Sequence, residues 1–115
     1  MRSEKLYLED MLEAAQAIQL FCAGAQYPDF QGNDLLRSAV LLKLIVIGEA
    51  AAHLPAEFQA RHPEVGWPDI ISFRNFAVHV YFAMDWQIVW VTATQDVKTL
   101  ARQVDLILKE EFQGE

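Results

Sequence analysis

Basic residues are scarce in this 115-residue chain: 9 Lys and Arg stand against 16 Asp and Glu, for a net charge of −7. That balance argues against a broad basic surface gripping nucleic acid through counterion release, and leaves room only for a small local cationic site. Cysteine is nearly absent. The single Cys22 excludes an intrachain disulfide and suits a reducing cytosol, so a cytoplasmic location is expected. No neighbouring pattern would activate Cys22, and it reads as core filler. Long apolar runs are missing too. The best of them, Ser38 to Gly48, contains Lys43 and falls far short of the roughly 20 residues that a membrane span needs. Arg2, Glu4, Lys5, Glu9 and Asp10 interrupt the stretch where a secretory signal would carry its apolar core. His53 and His62 have no acid or cysteine at metal-ligand spacing. Both read as surface or packing residues, and neither a metal nor another cofactor is expected. There are no internal repeats and no low-complexity segments.

Apolar residues, by contrast, make up 53% of the chain, ample for the core of one domain spanning residues 1–115 and for an interface besides. Their spacing is helical. Leu8, Met11, Leu12, Ala15, Ile18 and Cys22 recur at three- and four-residue steps, which predicts a first helix from about Ser3, its N-cap, to Ala23, with Gly24 as the stop. Gln26 to Asn33, with Pro28 and Gly32, reads as a loop. A second helix should start at Asn33 or Asp34 and run to about Leu54. It is apolar almost all round, so it should be buried on several sides. Gly48 inside it suits a close backbone approach. Glu49 reads either as an ordinary paired acid or as a partner for Arg74 or His79. Pro55 to Arg61 could form a short helix. A third long helix should begin near Trp67-Pro68 and end near Phe82. Asp85 then caps a last helix, roughly Trp86 to Glu111; a strand over Ile88 to Thr94 is discounted because nothing else could pair with it. The expected fold is an all-α antiparallel bundle of four or more helices.

The chain is organised around Arg74-Asn75-Phe76-Ala77-Val78-His79-Val80-Tyr81. From Gly66 to Ala83 only Asp69 and Arg74 carry formal charge. An Arg in so apolar a segment must meet a counter-charge, a second copy of the chain or a ligand. His79 can move protons near neutral pH, and Arg74 can grip phosphate oxygens through paired hydrogen bonds. Together they form a minimal kit for phosphodiester chemistry. On one straight helix, though, the two stand about 140° apart. Either the helix ends or bends near His79, or a second copy completes the site. Arg74 and Tyr81, seven apart, would share a face of a continuous helix.

This stretch resembles the signature of the HepT-like toxins of the HEPN superfamily: an Arg, a polar residue, then His and Tyr, here Arg74, Asn75, His79 and Tyr81. The likeness extends to Leu6–Glu13, Ile47-Gly48-Glu49-Ala50-Ala51, Trp67-Pro68-Asp69-Ile70-Ile71, Phe82–Asp85 and Val89-Trp90, and so covers nearly the whole chain. The resemblance implies the toxin of a toxin–antitoxin module: a metal-independent endoribonuclease with Arg74 and His79 as catalytic residues. It implies as partner a minimal nucleotidyltransferase antitoxin of the MntA type, which silences the toxin by transferring AMP to Tyr81. Asn75 could orient His79 or bind phosphate. One His per chain is thin for both acid and base duty, so a homodimer joining two motifs at its interface is expected on RNA as substrate. Val80 departs from the commonest family form, in which a small or polar residue often separates His from Tyr; a β-branched neighbour narrows access to Tyr81. Two other readings stay open: a non-catalytic helical dimer that binds a nucleotidyltransferase partner, and a nucleotide-binding regulator.

Overall fold

The computed structural model describes residues 2–79 and 81–114, and among them only helices, turns and connecting segments occur. Helix α1 (Glu4–Cys22) starts where the Ser3 hydroxyl accepts from the Leu6 amide at 3.3 Å, and Gly24 just beyond its end adopts a left-handed φ of 76°. The residues between α1 and the next long helix are not the loop their Pro and Gly suggest. Asp29 accepts from the Gln26 amide at 2.8 Å and closes a short helix α2 (Tyr27–Gln31). Phe30 from α2 is fully buried, against Trp86 and Trp90. Burying such a ring contributes about 1.5–3 kcal/mol, enough to favour one helical turn over an open loop.

Helix α3 (Asp34–His53) is capped by the Asn33 side chain, which accepts from the Leu36 amide at 3.0 Å. It is the central element: α1, α2 and α5 (Trp67–His79) all pack against it. Its nearly all-round apolar character is only partly explained within one chain, because Leu35 and Leu42 remain 80% and 59% exposed. Helix α4 (Ala56–Arg61) buries Phe58, over which the Arg61 guanidinium lies. The Trp67 indole then donates to the His62 carbonyl at 2.9 Å and starts α5.

Asp85 caps α6 (Trp86–Val91), accepting from the Gln87 and Ile88 amides. The chain passes through one π turn, Thr92–Asp96, into α7 (Val97–Glu111). The last helix is therefore interrupted where an unbroken one was expected. A π turn holds one extra residue, which rotates the following stripe by about 100°. This lets Val89 before it and Val97, Leu100, Val104 and Ile107 after it all reach one core. The α7 stripe packs on α1. Among the described residues no helix is long and apolar enough to cross a membrane.

Candidate active site

Helix α5 is held against α3 through Gly48. A Cβ built there would overlap the Arg74 Cβ, lie 2.8 Å from its Cγ and 3.3 Å from the Ile70 carbonyl oxygen. Only glycine leaves room for the stem of Arg74 to lie across α3 at this crossing. The stem carries the guanidinium to the next residue of α3, where Nη1 donates to Glu49 Oε1. Of the two roles open to Glu49, pairing with Arg74 is the one the fold realises. Arg74 is largely covered, with 19% of its side chain exposed against 48% for Glu49. A pair this open to water on its acidic side contributes only about 0–1 kcal/mol to stability. The Arg74 Nε is buried and meets no acceptor among the described residues. The guanidinium is thus anchored on Nη1, and Nη2, which makes no hydrogen bond among the described residues, is the donor left for another acceptor.

His79 is the last residue of α5 and is exposed. The helix does end at His79, which meets one condition the spacing imposed, and Tyr81–Ala83 continues as a 3-10 turn. The expectation of a helix to about Phe82 is corrected accordingly, and with it the idea that Arg74 and Tyr81 share the face of a continuous helix. Ending the helix does not join Arg74 to His79. Arg74 turns inward to Glu49, while the His79 ring makes no hydrogen bond or ion pair among the described residues. Asn75 is exposed and makes no hydrogen bond to His79, so the orienting contact is not formed. Val80, and with it the access left to Tyr81, falls outside the described residues.

Tyr81 is 39% exposed and is not a core tyrosine; its ring meets Phe82 at 5.5 Å and Trp86 at 5.9 Å, edge to face. Trp86 in turn lies under the Arg37 guanidinium, 5.4 Å from the ring centre. Arg37 is fixed by the carbonyls of Phe30 and Gln31 and by Asp34. It is the member of this neighbourhood that the sequence did not flag. Residues 37 and 86 belong to no common local pattern, and the one hint was a charged residue in the first turns of an otherwise apolar helix.

The other histidines are packing residues. His53 stacks on Tyr7, and its Nδ1 lies 2.7 Å from the Glu49 carbonyl oxygen. His62 leans on Phe58, with its Nε2 against the Glu111 carboxylate but not aligned for a hydrogen bond. Among the described residues no three His, Cys, Asp or Glu side chains group as metal ligands. Cys22 is buried, and that burial pushes its thiol pKa up, as suits core filler.

This geometry belongs to a chain whose residues 11–107 match the family described as ribonuclease HepT-like. The chain belongs to the HepT-like ribonuclease family. It is 33% identical to the probable ribonuclease HepT of Thermococcus cleftensis, over 94% of this chain and 98% of that one. It is also 31% identical to a provisionally named RNase of Methanocaldococcus jannaschii, over 92% and 97% of the two chains. No solved structure matches it. The recognition drawn from the motif segments and the all-α fold expected with it are both correct.

Proposed function

We propose that this HepT-like chain is the ribonuclease toxin of a two-component module, active in the cytoplasm without a metal, with a catalytic site completed across a two-fold dimer. The observation that carries the reading is the separation of Arg74 from His79 within one chain. Arg74 is pinned to Glu49 on α3, and His79 stands exposed at the end of α5. A second copy, related by a two-fold axis near the end of α5, would bring a second Arg74 and a second His79 to one cleft. Leu35, Leu42, Phe76, Val78 and Phe82 are all exposed, Phe82 completely. They supply apolar surface on α3 and the motif segment for such a contact.

The chemistry follows from RNA's internal nucleophile. One His79 accepts the proton of a 2′-hydroxyl as its oxygen forms a bond to phosphorus. The other donates a proton to the 5′-oxygen as the bond from phosphorus to that oxygen breaks. A 2′,3′-cyclic phosphate and a 5′-hydroxyl result. Arg74 offers its remaining donors to the phosphoryl oxygens, where charge grows in the transition state. Glu49 is a positioning residue that holds the guanidinium. Asn75, exposed one residue after Arg74, is free to bind phosphate.

Silencing by a minimal nucleotidyltransferase fits the exposure of Tyr81. Its phenol oxygen attacks the α-phosphorus of ATP, pyrophosphate leaves, and the phenol proton passes to a base of the transferase. The added phosphodiester puts bulk and negative charge beside a site meant for an anion. One observation favours the second reading, a non-catalytic dimer that binds the transferase: Arg74 is already occupied by Glu49. The deciding experiment is cleavage of single-stranded RNA by purified protein, with His79→Ala and Arg74→Ala variants and with a chelator. Cleavage lost with His79 and retained with the chelator supports the nuclease. Equal cleavage by His79→Ala removes it, and abolition by the chelator removes the metal-free chemistry.

A further inference from the structure

The helices of this bundle pack in sequence, α7 on α1, α1 on α3 and α3 on α5, but α5 makes no extended contact with α7. The seam between them stays open as a cleft of about 500 Å³. Leu44 and Ile47 of α3, Ile70 and Phe73 of α5 and Leu100 of α7 give it apolar walls. Its rim is acidic on both sides. Asp69 lies on α5 and Asp96 on the π turn; Glu64, before α5, also lines the cleft, but its carbonyl accepts from Gln103 of α7 at 2.8 Å and its carboxylate lies 3.6 Å from His62 Nδ1. A shallower hollow shares Thr92 and Asp96 and carries the groove on over Ile88 and Val91, both exposed, to Asp85. Among the described residues no Lys, Arg or His lines either hollow. Asp69 and Asp96 pair with no base among the described residues.

We infer that this cleft is a docking groove for an amphipathic helix of a partner polypeptide, with an apolar stripe and basic flanks. Three features select that occupant. The seam is the place where a closed bundle would hold a further helix–helix contact, so a helix fits its shape. The apolar walls suit a stripe of Leu, Ile or Phe, and acids on both rims would meet Lys or Arg on both flanks. The π turn sits at the groove, and π turns recur at functional positions. RNA is a poor occupant, since carboxylates line the cleft and no cation offsets phosphate. A second copy is also poor. Its α7, the helix richest in bases, already packs its apolar stripe on α1. The inference does not depend on ribonuclease activity, because Arg74 and His79 do not line the groove.

The test uses the full chain and a synthetic amphipathic peptide with leucine on one face and lysine elsewhere. The control peptide carries the same leucines with glutamate in place of lysine. Calorimetry should give one-to-one binding of the lysine peptide and none of the glutamate peptide, with NMR shifts concentrated at Ile70, Phe73 and Thr92. Asp69→Asn with Asp96→Asn should weaken binding about three- to tenfold. Thr99→Trp, which fills the mouth from an exposed position, should abolish it. Glu9→Gln with Glu13→Gln, exposed on α1, should change nothing. Equal weakening by the α1 pair would mean diffuse charge attraction and overturn the proposal. So would binding of the glutamate peptide, or shifts outside the cleft. If Thr99→Trp dissociates an oligomer in light scattering, the groove is a self-interface and the partner-helix reading fails. It also fails if hexylammonium binds in the cleft and the lysine peptide does not.

Discussion

The two ends of α5 differ in charge and in covering, although the helix is only 13 residues long. The N-terminal end is anchored by the buried Trp67 and carries Asp69 into an acid-rimmed apolar cleft. The C-terminal end carries Arg74 on one side, then His79, Tyr81 and Phe82 in the open. One end suits a cationic partner and the other an anion. A helix turns through a face every few residues, so one element can present both without the two fields cancelling at either site.

The largest effect should come from the cationic end. His79→Ala should lower RNA cleavage by about 10²–10⁴-fold while leaving the circular dichroism spectrum and melting curve unchanged. Arg74→Ala should likewise abolish measurable cleavage. If acids at the other end of α5, such as Asp69, proved equally necessary for cleavage, the division between the two ends would fail.

Next is the crossing that holds Arg74. Gly48→Ala forces a methyl group into the Arg74 stem. It should cost about 1–3 kcal/mol in urea unfolding and reduce cleavage as α5 shifts away from α3. Unchanged stability would show that the crossing is loose and that Arg74 is not pinned.

Phe82→Asp places a charge on a fully exposed ring. Light scattering should then show a monomer where the parent chain is expected to form the proposed dimer, with little loss of thermal stability. A monomeric parent chain would remove the dimer and, with it, the shared site.

A smaller effect is expected at Tyr81. Tyr81→Phe should keep the fold and most of the cleavage activity, yet escape AMP transfer by the cognate nucleotidyltransferase. Mass spectrometry placing AMP on Tyr7 or Tyr27 would refute the assignment. The smallest signal belongs to Cys22. Burial raises its pKa, so the folded state holds the thiol proton more tightly than the unfolded state. Its share of stability is fully present below the ordinary thiol range and is lost as pH rises from that range through the raised value of the folded state. A thiol reagent should leave the native protein unlabelled at pH 7 and modify it only after unfolding.

Much of this was legible in the residues alone. Ser3, Asn33 and Asp85 cap helices as their side chains indicate, and the apolar stripes of α1 and α7 follow from spacing by three and four. Gly48 was recognisable as a close approach and Glu49 as a possible partner of Arg74. The caps and stripes depend on a side chain and its neighbours within one or two turns, so the sequence by itself determined them, along with the motif that marks the family. The rest needed the tertiary structure. It chose Arg74 for Glu49 across 25 residues, and set Arg37 over Trp86 across a longer stretch of chain. It stopped α5 at His79, closed α2 around Phe30, placed a π turn in the last helix and left the seam between α5 and α7 open. Each of those outcomes is settled by which surfaces compete for the same core volume. That competition involves the whole chain at once, and no local pattern records it.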